Sequence, residues 1–270
     1  MADNEQDSSL AVYCDFENLA LGARDARISK FDMKPVLERL LLRGSIVVKK
    51  AYCDWDRYKE FKGAMHEASF ELIEIPHTRM SGKNSADIRM VVDALDLCYT
   101  KDHIDTFVIV SGDSDFSPLV SKLRENAKTV VGVGIRNSTS DLLVSACDEF
   151  IYYDDLVASG SGGRKRRRPA KPKTADTADA KSRDDKEDRV AEAMDLIVET
   201  VDALLTERDD SVWGSQVKQT LKRRNPGFSE SSLGFRSFNG LLIEMKKRGL
   251  LELEPDERSG GVIITSTGGD

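Results

Sequence analysis

Hydrophobic positions in the first half of the chain form short apolar runs that alternate with helical patterns. The runs, rich in β-branched residues, predict strands at 10–14, 45–52, 70–75, 106–110, 129–134 and 150–153. Apolar positions spaced three and four apart predict helices at 33–43, 55–69, 86–99, 118–126 and 140–147. Repeated β-α-β units of this kind predict an α/β domain with a mostly parallel sheet covered by helices on both faces.

The pattern changes after residue 157. Residues 158–187 contain Ser-Gly repeats, a basic run at 164–168 and almost no apolar side chains, which predicts a disordered linker. Helical spacing returns at 190–205, 211–224 and 235–248, and strand patterns follow at 250–253 and 262–265. Three helices and a hairpin are the pattern of a small winged-helix domain. We therefore predict two domains, at 8–157 and 188–266.

Composition and charge narrow the classes of function. The chain has 270 residues, of which 40% are hydrophobic and 32% charged, as is usual for a soluble protein. It shows neither a membrane-length apolar run nor a signal-peptide pattern, so we expect a cytoplasmic protein without a membrane partner. The four cysteines are far apart, which indicates buried free thiols rather than a zinc site or disulfides.

The net charge of −7 argues weakly against nucleic acid as a partner, but the charge is unevenly distributed. Basic residues collect in the predicted linker and in the second domain at 218–224 and 246–248. A local basic patch decides nucleic-acid binding more than the sum of charges does.

Acidic residues follow two of the predicted strands. Asp15 ends the first strand, and Asp113 and Asp115 follow the strand at 106–110. Parallel strands end at one edge of the sheet, where α/β proteins place their ligands. Asn18 follows Asp15 closely, and Asp87 falls in the first turn of a helix. The sequence therefore predicts that these side chains converge at the carboxyl edge.

Oxygen donors without histidine or cysteine favour a hard cation, Mg²⁺ or Mn²⁺, which activates water and polarises a phosphodiester. The competing interpretation is structural, because a single aspartate after a strand is usually a helix cap or a turn residue. Asp115 in particular stands where it can cap the helix that begins near Pro118. The chain lacks a P-loop and a complete dinucleotide fingerprint, so other phosphate chemistries fit less well.

Four segments in order carry a resemblance to the NYN domain, a PIN-like nuclease group, in its LabA-like form. These segments are 15–19, 82–87, 111–116 and 147–151. The resemblance implies a Rossmann-like, three-layer domain that cleaves RNA with Mg²⁺. It assigns Asp15, Asp87, Asp113 and Asp115 to the acidic, metal-binding and catalytic cluster, and it gives Asn18 a part in arranging the site. Asp148 matches its motif in a structural role.

The second domain resembles an OST-HTH (LOTUS) domain, through the segments 212–217, 226–228 and 233–238. That family is associated with RNA binding. Basic side chains at a helix end agree with it, since cations meet phosphates without reading bases. The candidate RNA contacts are Lys218, Lys222, Arg223 and Arg224. The competing interpretation is that these residues form the solvated face of a small helix.

Together these patterns predict a two-domain, Mg²⁺-dependent RNA endonuclease. In this hypothesis Lys83 contacts the scissile phosphate, and the second domain and linker tether the RNA. Two alternatives stay open: a non-catalytic RNA-binding regulator that keeps the acidic pocket, and an adaptor whose second domain binds a protein partner. The sequence also leaves open whether the chain forms a homo-oligomer.

Overall fold

A computed structural model of the chain describes residues 8–28, 31–75, 84–161, 177–207, 211–256 and 261–268. The chain divides into two compact units, residues 1–163 and 164–270. Among the helices of the described residues, none is both long and apolar enough to cross a membrane.

The first unit is built on a six-stranded sheet in which every neighbouring pair of strands is parallel. Its strands are β1 (Ser8–Asp15), β2 (Gly44–Cys53), β3 (Glu71–Glu74), β4 (Thr106–Val110), β5 (Thr129–Gly134) and β6 (Glu149–Tyr152). Their spatial order is β3-β2-β1-β4-β5-β6. The α/β prediction with a mostly parallel sheet is confirmed.

Within the described part of this unit, seven α-helices connect or flank the strands. They are α1 (Phe16–Asp25), α2 (Lys34–Leu41), α3 (Lys59–Glu67), α4 (Ser85–Thr100), α5 (Ser117–Glu125), α6 (Asp141–Ala146) and α7 (Tyr153–Ser161). Neither α1 nor α7 was predicted from the sequence pattern. Short 3₁₀ helices at Ser114–Phe116 and Arg136–Ser138 complete the connections.

The sheet separates two hydrophobic cores, since successive residues of a strand point to opposite faces. Leu10 and Val12 of β1 pack with α1, α2 and α3, whereas Ala11 and Tyr13 pack with α4, α5 and α6. All four cysteines are free and buried. Helices on both faces of a parallel sheet leave the strand ends as the place where polar side chains can gather.

The second unit contains three α-helices and a three-stranded antiparallel sheet within its described residues. The helices are α8 (Thr177–Glu207), α9 (Gly214–Arg224) and α10 (Phe238–Lys247), and the strands are β7 (Val212–Trp213), β8 (Leu251–Pro255) and β9 (Val262–Thr267). The sheet has the order β7-β9-β8. Apolar side chains from all three helices and from the sheet enclose one core, including Ile197, Val217, Leu241 and Ile264.

Half of the predicted linker, residues 162–176, lies outside the described residues, and the other half is helical rather than disordered as predicted. Residues 162–176 are not described, and the chain on both sides is helical, because α7 ends at Ser161 and α8 begins at Thr177. The basic run at 164–168 therefore lies outside the described residues.

Candidate active site

The two central strands of the first unit end side by side. β1 pairs with β4 up to Cys14 and Val110, so that Asp15 and the segment after β4 leave the sheet together. The order of the strands reverses between β1 and β4, since the chain continues outward to β2 on one side and to β5 on the other. Such a switch point is where doubly wound α/β sheets bind ligands.

Asp15 is the most deeply placed acid at this edge, with only 7% of its surface exposed. One carboxylate oxygen accepts a hydrogen bond from the backbone N–H of Asn18 (3.2 Å) and thereby caps α1. The other oxygen accepts a hydrogen bond from the Ser111 hydroxyl (3.0 Å). Asp15 is thus both a helix cap and a side chain tied to the segment after β4.

The segment after β4 is held by hydrogen bonds at each of its first three residues. The backbone N–H of Gly112 donates to the side-chain oxygen of Asn18 (2.9 Å), and its carbonyl accepts from the N–H of Ser140 (2.9 Å). The N–H of Asp113 donates to the Ser111 hydroxyl (3.2 Å). One carboxylate oxygen of Asp113 accepts from the N–H of Asp115 (3.0 Å). The segment therefore presents its carboxylates from a fixed backbone.

Asp87 reaches the same edge from α4, where it lies in the first turn and is half-buried. Burial raises the pKa of Asp87, and the negative charges of Asp113 and Asp115 raise it further. Tyr52 anchors α4 to the sheet, because its hydroxyl donates to the carboxylate of Asp93 (2.9 Å).

Negative charge accumulates between these carboxylates. Burial raises the pKa of Asp15 to about 7, and the charges of Asp87 and Asp113 add to that rise, although the hydrogen bonds from Asn18 and Ser111 lower it. Carboxylates gathered this closely repel one another, and a bound cation relieves that repulsion.

The donor set fits a hydrated hard cation. Within the described residues, no three His, Cys, Asp or Glu side chains stand close enough together to hold one ion. Mg²⁺ seldom needs such a cage, because it keeps several waters and is usually bound by one or two carboxylates together with substrate phosphate. Each carboxylate oxygen of Asp15 has a second lone pair beyond its hydrogen bond, so capping leaves room for a water or an ion.

The structure brings together five of the ten residues selected from the sequence. Asp15, Asn18, Asp87, Asp113 and Asp115 lie at one edge of the first unit, either in direct hydrogen bonds or in electrostatic contact.

Four of the other five residues lie in the second unit, and the fifth is outside the described residues. Lys83 falls on residues 76–83, which are not described. Lys218, Lys222, Arg223 and Arg224 lie on α9 of the second unit. Lys218 pairs with Glu230 (2.6 Å), Arg224 pairs with Glu199 (3.9 Å), and the charge of Lys222 helps to lower the pKa of Glu230.

Sequence reasoning missed two contributors to the site. Ser111 links Asp15 to the N–H of Asp113; it belongs to the segment 111–116 that carries the resemblance, but it was given no role there. Glu17 lies in the first turn of α1, pairs with Arg57 (3.2 Å) and also raises the pKa of Asp87. The sequence signal that could have identified Glu17 was its position two residues after Asp15.

Replacing Asn18 with alanine tests the arrangement of the site. The half-buried N–H of Gly112 loses its acceptor, and a lost partner of a buried donor costs about 1–3 kcal/mol. We expect urea denaturation to show a free energy of unfolding lower by that amount. The matched control is Asn126→Ala at the exposed end of α5, whose hydrogen bonds face solvent. Equal stability of Asn18→Ala and the wild type would contradict the proposed role of the amide.

Comparison with known proteins extends over the first unit. The family model described as the NYN domain matches residues 9–154. A crystal structure of a protein of unknown function from Vibrio parahaemolyticus superposes with a TM-score of 0.50 at 26% identity, over 58% of this chain and 98% of that chain.

A curated relative matches a smaller part of the chain. An uncharacterized protein of Methanocaldococcus jannaschii is 28% identical over 120 residues, which are 44% of this chain. The match spans 47% of that protein, about half its length. Neither relative's description states an activity.

Proposed function

This chain belongs to the NYN domain family, which includes nucleases with PIN-like folds, and we propose on that premise that its first unit is a Mg²⁺-dependent ribonuclease, an endonuclease that hydrolyses RNA phosphodiester bonds. The observation that carries the proposal is the convergence of Asp15 and Asp113 at the switch point of the sheet, joined through Ser111. A structural cap needs one aspartate, whereas this edge gathers several that repel one another.

Each residue of the cluster has a distinct part in the proposal. Asp15, Asp87, Asp113 and Asp115 hold one or two Mg²⁺ or Mn²⁺ ions, directly or through water. Such an ion supplies an activated water and polarises the phosphodiester. Asp15 is buried at the base of the acidic cluster. Asp115 is exposed at the outer edge of the cluster, where we expect the RNA to bind.

Residues around the cluster complete this assignment. Asn18 and Ser111 position the carboxylates rather than touch substrate, since their side chains are engaged with Gly112 and Asp15. Lys83, which precedes α4, is proposed to contact the scissile phosphate.

The proposal is tested with the purified full chain and 5′-labelled RNA. We expect internal cleavage with Mg²⁺ and with Mn²⁺, none in EDTA, and products with 5′-phosphate and 3′-hydroxyl ends. A DNA oligonucleotide of the same sequence is expected to be cut more slowly. RNA bound without cleavage under either metal would instead identify a non-catalytic RNA-binding regulator.

We further propose that the second unit is an RNA-binding winged-helix domain of the OST-HTH type. Three helices followed by a β-hairpin support that assignment, as does the basic last turn of α9. Lys218 and Arg224 are held in ion pairs with Glu230 and Glu199, whereas Arg223 is exposed. Arg223 is therefore placed to meet phosphate, with Lys222 beside it.

Replacing Arg223 with alanine tests this second proposal. One lost phosphate contact should lower the slope of log affinity against log salt by about 0.7 for single-stranded RNA. Fluorescence anisotropy of the full chain over a salt series measures that slope. The control is Arg189→Ala, an exposed arginine on α8 with the same change of charge. An unchanged slope for Arg223→Ala, or an RNA affinity that does not depend on salt concentration, favours the protein-adaptor alternative.

We also propose that the protein is cytoplasmic. The four buried free cysteines suit a reducing compartment, in which thiols persist.

A further inference from the structure

A carboxylate outside the acidic cluster ties α4 to the sheet of the first unit. The side chain of Asp93, which is 13% exposed, accepts hydrogen bonds from the Tyr52 hydroxyl (2.9 Å) and from the Arg89 guanidinium (2.9 Å). Its backbone carbonyl accepts a hydrogen bond from the Tyr13 hydroxyl (3.2 Å), and the Lys50 ammonium pairs with its carboxylate (3.5 Å). One residue of α4 is therefore bound to both β1 and β2.

This tie is made by a charged group among buried partners. Tyr13 and Tyr52 are fully buried, and buried hydroxyls need a hydrogen-bond partner. Burial raises the pKa of Asp93, but the hydrogen bond from Tyr52 and the cations Lys50 and Arg89 outweigh burial and hold that pKa below its usual value. Asp93 is thus ionised at neutral pH, and hydrogen bonds to an ionised acceptor are stronger than neutral ones.

Both tyrosines that bind Asp93 lie next to Asp15 in the sheet. Tyr13 precedes Asp15 by two residues on β1, and Tyr52 is the partner of Asp15 in the register of β1 and β2. Asp87 precedes Asp93 by six residues on α4, which is about 9 Å along the helix axis. The tie therefore connects the helix that carries Asp87 with the strand residues that surround Asp15.

The first turn of α4 depends on this tie for its position. In the described part of the chain, no side-chain cap is formed at Asn84, where the helix begins. The buried side chains of α4 are Met90, Ala94 and Cys98, which are all apolar. Apolar packing is non-directional, whereas hydrogen bonds are directional, so the bonds of Asp93 specify the height and rotation of the helix on the sheet.

We propose that Asp93 and Tyr52 are positioning residues, which set the separation of Asp87 from Asp15 and with it the affinity of the acidic cluster for a divalent cation. Mg²⁺ demands near-ideal octahedral geometry, so a displaced carboxylate weakens its binding. The inference rests on the proposed function, because that function makes Asp15 and Asp87 metal-holding residues. Neither Asp93 nor Tyr52 contacts the ion or the RNA in this proposal.

Replacing Tyr52 with phenylalanine tests the proposal, with Mn²⁺ as the probe ion. The substitution removes one hydroxyl, keeps the ring in the core and leaves the charge of the chain unchanged, so a change in affinity reports geometry. We expect the Kd for Mn²⁺, measured on the full chain from the electron paramagnetic resonance signal of the free ion, to rise about tenfold. That is the lower end of the loss when groups that orient metal ligands are removed. Binding at the cluster is defined as the part that Asp113→Asn removes.

The matched control is Tyr99→Phe. Tyr99 lies on the same helix but near its other end, is 60% exposed, and accepts a hydrogen bond from Asn126 (3.3 Å). We expect Tyr99→Phe to keep the Mn²⁺ affinity of the wild type.

Substitutions of Asp93 separate positioning from stability. Asp93→Asn keeps an oxygen that can accept from Tyr52, so we expect it to weaken Mn²⁺ binding less than Asp93→Ala does. Thermal melting is measured for each variant, and Tyr52→Phe keeps the test decisive if Asp93→Ala fails to fold. A purely structural tie would lower the melting temperature of Tyr52→Phe and leave its Mn²⁺ affinity unchanged.

The outcomes separate this inference from the proposed function. An unchanged Mn²⁺ affinity in Tyr52→Phe, in a chain whose wild type cuts RNA with Mg²⁺, overturns the inference and leaves the nuclease standing. Mn²⁺ binding that depends on Tyr52 in a wild type that cuts no RNA supports the positioning role and removes the nuclease. A wild type without Mn²⁺ binding at the cluster removes the metal site and both proposals with it.

Discussion

Replacing Asp113 with asparagine is expected to lower the rate of Mg²⁺-dependent RNA cleavage by on the order of 10³-fold, equivalent to about 4 kcal/mol of transition-state stabilisation. The substitution removes the negative charge but keeps the shape of the side chain. The amide oxygen still accepts the hydrogen bond from the N–H of Asp115, and the N–H of residue 113 still donates to Ser111. The loss therefore reports charge at the cluster rather than a rearranged segment.

The control for this substitution is Asp96→Asn. Asp96 is an exposed acid further along α4, the helix that carries Asp87, so it makes the same change of charge outside the cluster. We expect it to keep the wild-type rate within a factor of about two. Initial rates on labelled RNA and circular-dichroism melting curves measure both variants. A fully active Asp113→Asn would remove the carboxylate from the mechanism.

The second large effect is expected from Gly112→Ala. A β-carbon at this position would overlap the backbone carbonyl oxygen of Ser138, which cannot move as a flexible side chain can. Both backbone groups of Gly112 are also bound, to Asn18 and Ser140, so the segment has little freedom to yield. We expect a loss of about 1–3 kcal/mol in the free energy of unfolding.

The same substitution should also lower cleavage by on the order of 10²-fold, since small displacements of reacting groups are costly. Its matched control is Gly63→Ala on α3, where an added β-carbon meets nothing within 4 Å. There alanine should raise the free energy of unfolding by about 0.5–1 kcal/mol, as expected in an exposed helix. Urea denaturation of the two variants measures both changes in the free energy of unfolding. Equal stability of both would contradict the tight packing behind the site.

The position of the acidic edge was predictable from the sequence because few arrangements are available to a β-α-β chain. Parallel strands share a carboxyl edge, so Asp15 and Asp113 had to point toward one end of the sheet. That β1 and β4 are neighbours depends on long-range pairing, which the pattern of a single segment does not specify.

Other features depended on contacts that only folding creates. Helix α1 was missed, although Phe16, Leu19 and Ala23 have the spacing of a buried helical face. The acidic partners of Lys218 and Arg224 come from other parts of the chain, so the sequence pattern did not show these ion pairs and both residues were predicted to contact phosphate.

The most direct measurement of the central claim is the initial rate of RNA cleavage by a panel of full-length variants in one Mg²⁺ buffer. The panel contains the wild type, Asp15→Asn, Asp87→Asn, Asp113→Asn and Asp96→Asn, each purified in the same way. We expect EDTA to stop cleavage by the wild type, Asp96→Asn to keep the wild-type rate, and each of the three cluster variants to lose most of that rate. Cleavage that persists in the cluster variants, or a wild type that cuts no RNA with Mg²⁺ or Mn²⁺, would contradict the central claim.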